Sequence, residues 1–233
     1  MPLVLQERSP APGSFLADTD ADSVRLVYRN ESDRTIVASD FRCTVATNDG
    51  RTGWSGTSSD AFSLATIHRG EVRGFPGDNT IGPGETVEKE FGTEFRRDGP
   101  FAVQVCGPAA VILDDGSYSG APEVLDPLFD RRRALVAEVR DLASKLRRLE
   151  AATPSGARQG ALDELRTSAA RLGGGIYSQS IEQLGQAHDA GSLPVHRVRQ
   201  LRESVEADYQ RALRHLRPSD RDLLDRDLLE DSQ

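Results

Sequence analysis

Hydrophobic positions change their spacing midway along the chain. Up to Leu113 they come in short clusters cut by turn residues; from Leu128 onward they recur at steps of three and four. The first pattern predicts strands. Val24–Tyr28 is one, closed by the polar turn Asn30-Glu31-Ser32-Asp33. Thr35–Thr47 is another, with Phe41, Cys43 and Val45 on one face and Arg42 and Thr44 on the other. Asn48-Asp49-Gly50 follows it with hairpin chemistry, since Asn and Gly tolerate positive φ. Further strands are expected at Gly53–Thr57, Ala61–His68, Thr86–Phe91, Phe101–Cys106 and Ala109–Leu113. Gly82-Pro83-Gly84-Glu85 and Asp114-Asp115-Gly116 are the turns among them.

The second pattern predicts amphipathic helices. Leu128, Leu135, Val139, Leu142, Leu146 and Leu149 form one stripe, interrupted by Arg132, with Asp126-Pro127 as its start and Thr153-Pro154-Ser155-Gly156 as its end. A second helix carries Leu162, Leu165, Ala169 and Leu172, meets Gly173-Gly174-Gly175 and resumes through Ile176, Ile181, Leu184 and Ala187. Ser192-Leu193-Pro194 opens a third, with Val198, Leu201, Val205, Tyr209, Ala212 and Leu216 inward and Pro218 stopping it. Each stripe needs an apolar partner. The expected layout is α+β in separate halves: a flexible acidic leader over 1–22, an antiparallel β-sandwich over 23–118, a linker over 119–124, an antiparallel three-helix bundle or coiled-coil hairpin over 125–217, and a frayed acidic tail over 218–233. The tail repeats itself, Arg221-Asp222-Leu223-Leu224-Asp225 being echoed by Arg226-Asp227-Leu228-Leu229-Glu230.

Charge narrows the function classes. The formal charge is -8, from 29 basic and 37 acidic residues. That balance argues against a dedicated nucleic-acid binder and against adhesion to anionic lipid. Residues 1–120 carry net -7 and residues 121–233 net -1, so the helical half is the one laced with ion pairs. Lys occurs only at Lys89 and Lys145, which leaves Arg as the working cation. No run is long enough to span a membrane. Residues 1–17 lack a basic region followed by an apolar core, so the chain is expected to be cytoplasmic or to have lost a leader.

Few motifs survive inspection. Asp18, Asp20 and Asp22 alternate like calcium ligands, but Ser23 and Arg29 stand where the loop requires Gly and Glu. His68, His188, His196 and His215 show no zinc spacing. Gly53-Trp54-Ser55-Gly56-Thr57 misses the nucleophile elbow by its last residue, and Gly116-Ser117-Tyr118-Ser119-Gly120 places Tyr118 at the nucleophile. Gly173-Gly174-Gly175 lacks the ending of a phosphate loop. No cofactor or metal is expected. Arg197, Arg199, Arg202, Arg211 and Arg214 form a basic surface on the third helix, read first as an ordinary solvated face and otherwise as an interaction surface, with Glu203, Glu206 and Asp208 among them.

The phrases Asn30-Glu31-Ser32-Asp33-Arg34-Thr35-Ile36, Gly82-Pro83-Gly84-Glu85-Thr86 and Val111-Ile112-Leu113-Asp114-Asp115-Gly116 resemble those of immunoglobulin-like and fibronectin type III-like modules of bacterial extracytoplasmic proteins. The resemblance covers the N-terminal half. It implies a sandwich fold and an envelope location, and fold alone does not imply function. The order Cys43, Trp54, Cys106 likewise resembles the inter-sheet disulfide and core Trp of antibody-type domains. Against it, Gln104 replaces the corner Tyr, and Cys106 lies on the face opposite Phe101, Val103 and Val105. Two buried thiols are the favoured alternative, with the bond left open. The expectation for function is a non-catalytic interaction or structural protein of the bacterial cell envelope, meeting a protein partner or a second copy through its amphipathic helices. A cytoplasmic helical adaptor is the runner-up, and an enzyme with an unfamiliar site the third class.

Overall fold

A computed structural model describes residues 13–19, 23–47, 50–69, 80–92, 101–152, 155–172, 175–222 and 224. The chain divides into a β unit, Met1–Phe62 with Val72–Leu128, and a helical unit, Ser63–Glu71 with Phe129–Gln233.

In the β unit, β1 (Gly13–Thr19), β2 (Ser23–Asn30) and β5 (Thr86–Gly92) form one antiparallel sheet in the order β1-β2-β5. The second, also antiparallel, runs β4-β3-β6-β7, from β3 (Ile36–Thr47), β4 (Thr52–Asp60), β6 (Phe101–Leu113) and β7 (Tyr118–Gly120). Alternation fixes what each strand buries. Val24, Leu26 and Tyr28 of the first sheet join Phe41, Cys43, Cys106 and Val111 of the second in one buried cluster. The Tyr28 and Phe41 rings meet there at 5.2 Å.

Asn30 organises the turns. Its buried amide donates to the carbonyls of Arg34 (2.8 Å) and Ile81 (2.9 Å), while its Oδ1 accepts from the Ser32 N–H and hydroxyl. One side chain thus closes the Glu31–Thr35 turn and holds a segment fifty-one residues away. That segment is the turn Gly82–Glu85, with Pro83 at its second position and Gly84 at φ +72° at its third, a conformation that suits Gly.

Several expectations need correction. Gly13–Thr19 is strand β1, not part of a flexible leader. Residues 119–124 are no linker, because β7 ends at Gly120 and a helix begins at Pro122. Ala61–His68 is not a strand: Ser63 accepts from the Thr66 N–H and starts helix α1 (Leu64–Arg69). Phe101–Cys106 and Ala109–Leu113 are one strand running through Pro108. β7 pairs only with Ala110–Ile112, so the missing N–H of Pro108 costs no ladder bond on that side. The register steps from Phe41↔Pro108 to Asp40↔Ala110, which adds one residue to β6 and lets Val111 and Cys106 enter the same core. Asn48 and Asp49 lie outside the described residues.

The helical unit holds α1, the greater part of α2 (Pro122–Ala151), α3 (Ser155–Arg171), α4 (Ser178–Asp189) and α5 (Val195–Leu213). Among the described residues, four long helices therefore stand where three were expected, because Ile181, Leu184 and Ala187 belong to a separate helix, α4. α2 also starts four residues before Asp126-Pro127, since Pro122 already supplies the favoured first-position proline. Ion pairs give the directions. Glu150 meets Arg199 and Arg202 while Arg147 meets Glu206, so α2 and α5 are antiparallel. Arg148–Glu164 and Lys145–Ser168 place α3 antiparallel to α2 as well.

The Leu128–Leu149 stripe is buried except for the half-buried Leu135, and Arg132, which interrupts it, is buried too, donating to the His215 carbonyl at 3.2 Å. The expected tail starts ordered: residues 218–222 are helical, and the buried Asp220 accepts from Arg133 (2.9 Å) and Arg217 (3.0 Å). Residues 225–233 lie outside the described residues. No described helix is long and apolar enough to cross a membrane.

Candidate functional site

The helical unit contains a polar cluster that no local motif announces. Asp208 of α5 is fully buried. Its Oδ2 accepts from the Tyr177 hydroxyl and lies 2.6 Å from His68 Nδ1, and its Oδ1 accepts from Arg211. Arg211 also donates from Nε to the Ile67 carbonyl at 2.8 Å. A buried carboxylate needs such partners, because taking an uncompensated charge out of water costs several kcal/mol. The cluster fastens α1 to α5: Ile67 is buried, and the backbone behind it is held by Arg211. Burial and the adjacent Asp208 carboxylate push the Tyr177 hydroxyl far above its usual range, so it stays a donor at any ordinary pH.

His68 and Tyr177 also border a cavity of about 440 Å³. From α5, Arg197, Gln200, Leu201 and Ser204 line it at the i, i+3, i+4, i+7 spacing of one helix face. From α4, Ser180, Gln183 and Leu184 line it in the same way, and Ile176 completes an apolar floor with the two leucines. With one His imidazole nitrogen committed to Asp208, the ring's orientation is fixed at the cavity wall.

A second feature lies on the β unit. Trp54 is 59% exposed and Val105 41% exposed. Both are directly opposite Thr44 across the ladder, so they sit in one row on the face of the sheet opposite Cys43. The Arg42 guanidinium lies 4.3 Å from the Trp54 ring centroid and donates to Asp40 at 2.6 Å. Trp54 is therefore not a core tryptophan, contrary to what the antibody-type order implied. Parity explains it: Cys43 and Ser55 pair facing inward, which turns their neighbours Thr44 and Trp54 outward.

Cys43 and Cys106 are joined by a disulfide. They are directly opposed on β3 and β6, so the bond lies within one sheet and not between two. Cys106 is buried while Val105 is exposed, and the register shift from Thr44↔Val105 to Val45↔Val103 interrupts the alternation expected to put Val103 and Val105 on one face.

The five arginines of the basic surface have different partners. Arg199 and Arg202 both bind Glu150, at 2.7 and 2.8 Å, and Arg202 also binds Glu206. Arg211 belongs to the Asp208 cluster, Arg197 to the cavity wall, and Arg214 is exposed. The Arg199 and Arg202 guanidinium groups hold the Glu150 carboxyl below its usual range; burial works to raise Glu206, and Arg202 and Arg147 outweigh it. Among the described residues, no three His, Cys, Asp or Glu side chains are placed to hold a metal ion. Asp18 sits in β1 opposite Arg25, and Asp20 and Asp22 lie outside the described residues. Asp114-Asp115-Gly116 is a tight turn, closed by Gly116 N–H to Leu113 and by Ser117 to the Asp115 carboxylate. Comparisons with protein-family models, with curated proteins and with solved structures found no match.

Proposed function

We propose that this chain is a non-catalytic interaction protein of the bacterial cell envelope, an immunoglobulin-like β-sandwich followed by an antiparallel helical bundle, which meets a protein partner through the Trp54 face. The observation that carries this reading is the row Trp54–Thr44–Val105 with Arg42 over the indole. Trp and Arg dominate binding energy at protein interfaces, and here an exposed Trp54 stands with Arg42 stacked on its ring. The Cys43–Cys106 bond supports an oxidising compartment, where such bonds persist.

The test is the native size of the full chain in cells of its own source, before and after Trp54→Ala. The wild type is expected in an assembly larger than its own 25.4 kDa, and the variant, with unchanged circular dichroism, at the size of the free chain. Equal sizes for the two would refute the assignment to this face. The intact mass should fall on the oxidised side of a two-thiol chain before reduction; a source-isolated chain with two free thiols would argue for the cytoplasm instead.

A further inference from the structure

We propose that the cavity between α4 and α5 binds a small organic carboxylate, whose anionic group meets Arg197 and whose apolar body rests on Ile176, Leu184 and Leu201. Three observations converge. Among the described residues, the lining contains Arg197, an imidazole and neutral hydrogen-bonding groups on Ser180, Ser204 and Gln200, but no carboxylate. The nearest acid of the cluster, Asp208, has no exposure and is already engaged by Tyr177, His68 and Arg211, so it orients the imidazole rather than repelling an anion. The volume, about 440 Å³, falls at the small end of ligand sites, and a mostly polar lining surrounds the three apolar side chains Ile176, Leu184 and Leu201. A guanidinium suits a carboxylate in particular, because its planar fork can donate two parallel hydrogen bonds.

All of these residues belong to the helical unit, so the outcome here is independent of the Trp54 face. The experiment is an amide chemical-shift titration of the full chain with sodium benzoate and, separately, sodium hexanoate, at constant ionic strength, with benzyl alcohol as the uncharged counterpart. Saturable shifts confined to His68 and to residues 176–184 and 197–204 are expected for either carboxylate, with at least a tenfold weaker response to benzyl alcohol, the loss of one charge-assisted pair. Arg197→Ala should weaken carboxylate binding about tenfold, and Gln200→Glu should abolish it by placing a like charge in the lining. Both positions are exposed, so both variants should keep the wild-type fold. Absence of saturable shifts with both carboxylates overturns the proposal. So does equal binding of benzyl alcohol, or an Arg197→Ala variant that binds as the wild type does.

Discussion

The β unit and the helical unit solve the problem of holding distant residues together with different chemistry. In the β unit the long-range ties are backbone ladders, one covalent bond and one amide: Cys43–Cys106 spans 63 residues, and Asn30 reaches Ile81. In the helical unit they are charges: Asp208 gathers His68 and Tyr177 from other segments, Glu150 gathers Arg199 and Arg202, and Asp220 gathers Arg133 together with its own neighbour Arg217. The contrast follows from geometry. Strands exhaust their backbone groups on neighbouring strands and need little from side chains beyond alternation. Helices satisfy their backbones internally, so their mutual placement falls to side chains. The helical unit is accordingly the one whose integrity should depend on single charged residues.

The sharpest way to break that contrast is Asp208→Ala. It leaves the Tyr177 hydroxyl and Arg211 without their acceptor, and the helical unit should lose about 3 to 5 kcal/mol, seen as lost amide-exchange protection in α1 and α5 while β2 and β3 keep theirs. Replacing both cysteines by Ala should act in the opposite place. Opening a loop of this length costs the β unit about 4 kcal/mol by the chain-entropy account, measured as a lower denaturation midpoint of the strands alone.

Alkaline titration comes next. Burial, aided by Glu31, pushes Tyr28 up to about 12, and Tyr177 is raised as well. A raised native value means stability that is complete below the ordinary tyrosine value near 10 and lost as pH climbs from there towards about 12. Both units should therefore lose stability as pH rises above about 10, and Tyr28→Phe should remove that loss in the β unit only. The smallest expected effect is that of Glu150→Gln, which removes the half-buried carboxylate that pairs with Arg199 and Arg202 across α2 and α5; it should lower stability slightly, and less at high salt than at low, by thermal melts at two ionic strengths.

How much of this the sequence revealed follows the same division. Strand alternation and helical stripes are local, and they located most elements; Asn30, Gly84 and Gly116 marked turns where the structure has them. Pro108 split one strand into two on paper because nothing local says which of its sides is left unpaired. Ser63 was the available sign of α1, masked by the apolar run Leu64-Ala65-Thr66-Ile67 that also suits a strand. The cluster was beyond reach: His68 and Asp208 are separated by 140 residues, and only folding makes them neighbours. Trp54 shows the converse error. Its place between two cysteines suggested a core role, whereas its parity relative to Cys43 sends it to solvent.

That outward parity is what the functional account rests on, and site-specific photo-crosslinking measures it most directly. A photoreactive residue would be placed at position 54 of the full chain in its native cells, and a second at Glu88, an exposed position on the other sheet. The account expects one discrete protein adduct from position 54, competed away by added unlabelled chain, and none from position 88. No adduct at 54, or the same adducts from both positions, would contradict an interaction centred on the Trp54 face.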